Sequence, residues 1–188
     1  MRSNAKKSQI CQLIDDSKNE LSDPRDIQTE IKNYYTKLFS SKLSNSLPDI
    51  DMSFHPKTKL NDFDKSLCEG LITKPEAFEA LNSMPTNKTP GNDGLSVEFY
   101  ITFWTLIGDL VVNSINMAYM IGTLSNTQNQ GVITLIEKKD KDKRFIRNWR
   151  PITLLNTDYK IASKCIASRL DKVLPKIIHI TQTAFVKN

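Results

Sequence analysis

A dense run of basic residues between two apolar segments is the feature of this sequence best suited to binding phosphate groups. Seven lysines and arginines fall within thirteen residues, namely Lys138, Lys139, Lys141, Lys143, Arg144, Arg147 and Arg150. Pro151 disfavours the helical conformation for Arg150 and keeps it extended. A guanidinium can bind two phosphate oxygens at once, and lysine adds a point charge. The pattern predicts a site for a triphosphate or a nucleic-acid backbone. The alternative is that Arg150 pairs with a local carboxylate and the lysines are only solvated.

A second candidate phosphate contact is the loop "NKTPGNDG". It combines Lys88 with Gly91, Asn92 and Gly94, and glycines allow a backbone to approach a ligand closely and present its amides. No Gly-Lys-Ser/Thr follows, so this is not a Walker loop. An ordinary turn is the competing interpretation.

The residue types give little support for a metal site or for a nucleophilic catalytic site. The pair Asp15-Asp16 lies in a polar, turn-like stretch with no acidic partner segment nearby, and we expect no metal there. The chain has two histidines and three well-separated cysteines, which disfavours a zinc site, a disulfide framework and a histidine-based triad. This cysteine usage is typical of a reducing compartment.

Charge is unevenly distributed along the chain. Residues 1–131 hold 13 lysines and arginines against 16 acidic residues, whereas residues 132–188 hold 13 against 5. This asymmetry indicates that the C-terminal third meets a polyanion or an anionic ligand, although a solvated basic face would give the same balance.

The elements that must position these residues are mostly helices. Helices are predicted from Pro24, between Thr73 and Met84, from Ser96, and over about Leu110–Ile121. The aromatic row Phe99, Tyr100, Phe103 and Trp104 has helical spacing, which favours core packing over base stacking. The polar residues within 103–122 favour a buried helical pair over a membrane span.

The basic run itself is predicted to connect two strands. "GVITLIEKK" and "WRPITLL" are short and β-branched, so they predict a hairpin whose charged connection is a mobile flap. A further helix begins near Asn156 or Thr157, ends at Pro175, and places Lys160 and Lys164 on one face. The predicted fold class is α+β. Composition divides the chain into a helical extension (1–45), a linker or long loop (46–72), and a further domain (73–188).

Four motifs in order resemble one protein family. "NKTPGNDGLSVEFYITFW", "GVITLIEKKDKD", "NWRPITLLNTDYKIASKCIASRLDKVLP" and "QTAFVKN" are together similar to the reverse transcriptases of LINE-type (non-LTR) retrotransposons. The resemblance is strong over residues 73–188 and weaker from about residue 9.

The resemblance implies a right-hand polymerase of which this chain supplies a helical N-terminal extension, the fingers and the start of the palm. It implies an RNA template, a DNA primer and a deoxynucleoside triphosphate as partners, no membrane, and an intracellular location, nuclear or cytoplasmic, for the parent element. Lys138 and Arg150 would contact the incoming nucleotide, with Gln182 and Phe185 near the same pocket. The loop 88–94 would lie against template or primer. The other predicted nucleic-acid contacts are Lys139, Lys141, Lys143, Arg144, Arg147, Lys160 and Lys164.

Two residues depart from the family pattern, and the catalytic aspartates are expected elsewhere. Glu137 stands where proline is usual, and Ala184 where glycine is usual. The aspartates that hold Mg²⁺ in the intact enzyme would follow residue 188, so we expect the isolated chain to be catalytically inert, without the rest of the palm and the thumb. The alternatives are a non-catalytic nucleic-acid-binding relic or a non-functional gene fragment.

Overall fold

The computed structural model describes residues 10–40, 58–179 and Thr181, and this part of the chain is mixed helix and sheet. The strands are β1 (Leu13–Ile14), β2 (Glu20–Leu21), β3 (Gly131–Glu137) and β4 (Trp149–Leu155). The helices are α1 (Pro24–Phe39), α2 (Asp62–Cys68), α3 (Lys74–Asn82), α4 (Val97–Ile121), α5 (Thr157–Asp171) and α6 (Leu174–Ile177). The strands pair as β1–β2 and β3–β4. The predicted α+β class is confirmed.

The described residues form two compact units. The first comprises residues 10–40 and 133–153, and the second comprises 58–132 and 154–179. Contacts therefore associate the basic hairpin with the N-terminal segment. The boundaries drawn from composition stay a prediction, and α2 lies inside the stretch interpreted as a linker.

Local capping signals give two helix starts that the sequence predicts. The Asp23 side chain accepts a hydrogen bond from the Arg25 amide at 2.8 Å, ahead of Pro24 at the first helical position. Thr73 and Glu76 form the predicted capping box, in which each side chain accepts from the other residue's backbone amide. Such reciprocal bonds satisfy amides that the first turn of a helix leaves without partners.

The two helices predicted after Ser96 are in fact the single helix α4. Ser96 caps it, accepting from the Phe99 amide at 3.4 Å, and Gly122 ends it with a φ of 68°. Gly108 lies inside this helix and permits the close approach of two side chains. A Cβ there would lie 2.9 Å from the Trp104 ring and 3.0 Å from the Lys74 side chain. By length and composition, α4 could cross a membrane.

The core of the second unit lies where α3 and α5 pack against α4. Leu81, Trp104, Ile115 and Ile161 are buried in it, and Trp104 stacks on Phe78 with ring centroids 5.7 Å apart. The expectation that the aromatic row contributes to a core is confirmed for Tyr100 and Trp104.

The core of the first unit holds the connection between β3 and β4 in place. Leu13, Ile27, Tyr35, Ile146 and Trp149 are buried together. Ile146 and Trp149, within or next to the connection, insert into this core and anchor its C-terminal side. The mobility of the exposed residues 139–144 stays a prediction.

Candidate nucleic-acid-binding surfaces

Three lysines that the sequence assigns to nucleic-acid contact line one groove in the second unit. Lys88 comes from the loop after α3, and Lys160 and Lys164 lie one turn apart on α5. The groove has a volume of about 470 Å³. Its remaining lining is mainly apolar, formed by Met84, Pro85, Val97, Leu155, Tyr159 and Ser163. Within the described ranges none of the three lysines forms an ion pair, so their charges face the groove uncompensated. We call this feature the lysine groove.

A buried polar junction fixes the start of α5 against the loop that carries Lys88. The Asn156 side chain donates to the Thr127 carbonyl at 2.9 Å and accepts from the Asp93 amide at 3.4 Å. Thr157 donates its hydroxyl to the Leu95 carbonyl at 2.8 Å. Since Asn156 and Thr157 are almost fully buried, these bonds satisfy groups that would otherwise be costly to bury. They set the position of the two α5 lysines relative to the loop.

The loop bearing Lys88 is also tied to α4. Asn87 has a φ of 56°, and its amide donates to the Glu98 carboxylate. That bond holds the pKa of Glu98 below its usual range. The backbone next to Lys88 is thus anchored, which restricts where its ammonium can reach.

The glycines of this loop serve the fold in different ways. A Cβ at Gly91 would lie 2.2 Å from the Asn156 side-chain oxygen and 2.5 Å from its amide nitrogen, so the close approach is to the chain itself. Gly94 has a φ of 73°, and Asn92 donates to the Gln130 side chain at 3.0 Å. Packing and hydrogen bonds within the chain therefore explain why Gly91, Asn92 and Gly94 occur in this loop. The role of the loop as a phosphate contact stays a prediction.

The basic hairpin of the first unit contains two kinds of cation. Three members have partners within the unit. Lys138 donates to the Arg147 carbonyl at 2.7 Å, and Lys143 pairs with Glu137. Arg144 makes a bidentate contact to Asp142 and approaches Glu20 at 3.9 Å. The hydrogen bond between Arg144 and Asp142 lowers the pKa of Asp142 and raises that of Arg144.

Four other members form no ion pair with any residue that the structure describes. They are Lys139, Lys141, Arg147 and Arg150. The Arg147 guanidinium lies over the Phe145 ring, 4.7 Å from its centroid, and Arg150 is exposed on β4. The alternative in which Arg150 pairs with a local carboxylate is therefore not seen among residues 10–40 and 133–153.

Backbone and indole hydrogen bonds order the connection that carries these cations. Trp149 donates its indole N–H to the Lys143 carbonyl, and Asn148 donates to the Asp142 carbonyl, both at 2.8 Å. The Ile14 amide donates to the Arg144 carbonyl at 2.8 Å. The β1 strand thus contributes directly to holding the basic hairpin.

The departure at Glu137 has a local explanation. Its ion pair with Lys143 offsets the negative charge that the sequence places beside Lys138. Gln182, Phe185 and the second departure, Ala184, lie outside the described residues.

Carboxylates suited to Mg²⁺ do not converge in the described part of the chain. Both Asp15 oxygens accept from Asn19, at 2.8 Å from the amide and 3.0 Å from the side chain. These bonds lower the pKa of Asp15 and close the turn between β1 and β2. Within residues 10–40 and 58–179, no three His, Cys, Asp or Glu side chains lie together. The described residues therefore do not fit the metal.

Sequence reasoning missed the most extensively bonded arginine. Arg169 donates to both carboxylate oxygens of Glu76, at 2.6 and 2.8 Å, and also to three carbonyls, of Glu69, Gly70 and Leu71. The local sequence does not single out Arg169, because its partners lie more than 90 residues away in the chain. The donors of Arg169 are thus bonded within the fold, and we call this set of contacts the Arg169 strut. Lys160 and Lys164 remain as the groove-facing charges of α5.

Comparison with known proteins identifies one informative relative. No family model matches the chain. The "Transposon TX1 uncharacterized 149 kDa protein" of Xenopus laevis is 35% identical over 186 residues, which cover 94% of this chain and 13% of that protein. The chain therefore spans only a small part of the relative's length. This similarity supports the interpretation that the chain derives from a non-LTR retroelement.

Proposed function

We propose that this chain is the nucleic-acid-binding, fingers-side part of a retroelement reverse transcriptase. The observation that carries the proposal is the lysine groove, in which residues from two distant segments meet around an apolar floor. The transposon relative supports a retroelement origin, and the motif resemblance favours RNA as the template and DNA as the primer.

The chemistry of the groove suits a single strand. Ammonium groups neutralise backbone phosphates without reading sequence, while an apolar floor with Tyr159 offers a surface on which an unstacked base can lie. A duplex hides its bases, so it would engage the lysines and leave the floor unused.

The free cations of the basic hairpin provide a second anionic site in the proposal. Arg150 is assigned to the triphosphate of the incoming nucleotide, since a guanidinium fork matches phosphate oxygens. Lys138 is assigned there as well, although its ammonium is bonded to the Arg147 carbonyl and must exchange that partner for phosphate.

Catalysis is assigned to the intact enzyme with Mg²⁺ bound by residues other than those described. The isolated 188-residue chain is proposed to bind but not to extend a primer. Primer extension by the purified chain with magnesium and deoxynucleotides would contradict this part of the proposal.

The binding part is tested by titrating the full chain with a fluorescent single-stranded RNA over a series of salt concentrations. The test variant combines Lys88→Gln, Lys160→Gln and Lys164→Gln. The matched control removes three exposed lysines elsewhere, through Lys32→Gln, Lys37→Gln and Lys59→Gln. Both variants lose the same net charge.

The test variant should bind more weakly, with a salt slope shallower by about 2, the value expected for three lost phosphate contacts on a single strand. The control should change both quantities much less. An equal loss of RNA affinity in the two variants would show that only net charge matters. It would refute the proposal that the lysine groove binds the RNA.

A further inference from the structure

A second stripe of apolar residues runs along α4, on the side opposite to the core. The core side of the helix buries Tyr100, Trp104 and Ile115. The opposite side carries six residues with spacings of three and four, namely Phe103, Leu106, Leu110, Asn113, Met117 and Met120. Leu106, Leu110 and Met120 are 74%, 69% and 70% exposed, so residues within the described ranges leave the stripe largely uncovered. We call these six residues the outer stripe.

This spacing is that of alternating a and d positions in a coiled coil. Alternation of three and four keeps a seam on one side of a helix, where it can pack against a second helix. A helix that served only its own domain would need just the inner, buried stripe. The outer stripe thus indicates a helical partner.

We propose that the outer stripe pairs with the same stripe of a second copy of this chain, as an antiparallel helix pair. The order of the spacings is the same read in either direction, so a two-fold axis between Val111 and Val112 matches the stripe to itself. Phe103 then faces Met120 of the second copy, and Leu106 faces Met117. Both copies contribute the same surface to the contact, so the assembly ends at two chains, as in isologous dimers.

Asn113 selects this register. In the antiparallel pair it shares a layer with Leu110 of the second copy, and the two Asn113 residues are offset by about 4.5 Å along the axis, from a rise of about 1.5 Å per residue. Their amides can hydrogen-bond across the axis. A single polar residue in an apolar seam fixes register at a cost in stability.

Charge does not oppose the pairing. Within α4 the charged residues are Glu98 and Asp109. The Asp109 carboxylate lies 2.7 Å from the Lys74 ammonium, and the Glu98 carboxylate accepts from the Asn87 amide. Like charges therefore do not meet across the axis.

The area available predicts a weak dimer. Five apolar side chains per copy, from 41% exposed at Phe103 to 74% at Leu106, would bury on the order of 1,000 Å² in total, near the lower limit for a specific interface. We expect a reversible dimer of modest affinity. The pairing is independent of nucleic-acid binding by the lysine groove.

Sedimentation equilibrium of the full chain, at increasing concentration, tests the pairing. Leu110→Glu places a charge in the central layer and should weaken the dimer about tenfold or more. Phe63→Glu is the matched control, because Phe63 is 69% exposed on a different helix, and it should leave the equilibrium unchanged. Circular dichroism checks that both variants stay folded. A monomer at every concentration, or an equal effect of the two substitutions, would overturn the proposal.

Cross-linking tests the direction of the pair. Leu106→Cys and Met117→Cys are placed in separate chains in which Cys11 and Cys68 are serine. Oxidation of a mixture should give the disulfide between the two chains, and neither chain alone should cross-link. Self-cross-linking of each chain, or the absence of any cross-link, would overturn the antiparallel register. Binding of a monomeric chain to phosphatidylcholine vesicles, lost in Leu110→Glu, would instead assign the stripe to a membrane surface and also overturn the pairing.

Discussion

The Arg169 guanidinium donates two parallel hydrogen bonds to the Glu76 carboxylate, of 2.6 and 2.8 Å. Glu76 is also the closing residue of the α3 capping box. One contact therefore links the start of α3 to α5, and the remaining Arg169 donors hold the backbone of residues 69–71. The arrangement fixes the helix on which two groove lysines stand.

Removal of this strut should destabilise the chain. Both side chains are more than three-quarters buried, with 13% and 24% exposure, so Arg169→Ala leaves a carboxylate and three carbonyls without their partner. We expect a loss of about 1.5–3 kcal/mol in the free energy of unfolding, the range for hydrogen bonds to charged groups. Arg169→Lys should recover only part, because an ammonium lacks the guanidinium fork. Urea unfolding measures both variants, and a neutral Arg169→Ala would contradict the role.

The same pair predicts a loss of stability in acid. The hydrogen bond from Arg169 lowers the pKa of Glu76 in the folded chain below its ordinary value of 4.5. Because the folded-state pKa is the lower one, the stabilisation is present above the ordinary value and is lost as the pH falls through the folded-state value.

Urea unfolding over that pH range separates Glu76 from other carboxylates. Glu76→Gln should be less stable at neutral pH and should lose less stability on acidification than the unsubstituted chain. Glu79→Gln is the control, since Glu79 is exposed on the same helix. If Glu79→Gln flattens the pH dependence as much, the assignment to Glu76 is wrong.

The two glycines of the loop near Lys88 should differ in their tolerance of alanine. At Gly94 the cost comes from the positive φ alone, about 1 kcal/mol, because no atom lies within 4 Å of the added Cβ. At Gly91 the Cβ would overlap the backbone of Leu155 and Asn156, which cannot rotate away. We expect about 2–3 kcal/mol there, as for overpacking. Thermal unfolding compares the two, and a greater cost at Gly94 would contradict the packing argument.

Alanine substitutions of Lys138 and Arg150 should affect different properties of the hairpin, namely stability for Lys138 and triphosphate binding for Arg150. Lys138→Ala removes the bond to the Arg147 carbonyl and should lower stability by about 1 kcal/mol. Arg150→Ala removes no ion pair to a described residue, so it should leave stability unchanged while weakening triphosphate binding. Calorimetric titration with a deoxynucleoside triphosphate, beside thermal unfolding, gives both quantities. Unchanged triphosphate binding in Arg150→Ala would refute its assignment.

Features encoded over a few residues were predictable from the sequence. Asp23 with Pro24, and Thr73 with Glu76, start helices where the sequence predicts them, because a cap depends on residues within one turn. The spacing of Lys160 and Lys164 likewise placed both on one side of α5.

Features that depend on distant partners could not be predicted. Lys88 reaches the same groove as Lys160 only through the junction at Asn156, whose partners come from two other segments. The Arg169 strut is equally long-range. The division of α4 into two helices was wrong, because its packing against α3 and α5 is long-range and overrides local propensity.

The most direct test of the central claim is photocross-linking of the full chain to a single-stranded RNA that contains 4-thiouridine, followed by mass spectrometry. The lysine groove predicts adducts on Tyr159 or on the segments 84–88 and 155–164, lost when Lys88, Lys160 and Lys164 are replaced together by glutamine. Adducts confined to other segments, or unchanged in that variant, would contradict the claim that this groove holds the nucleic acid.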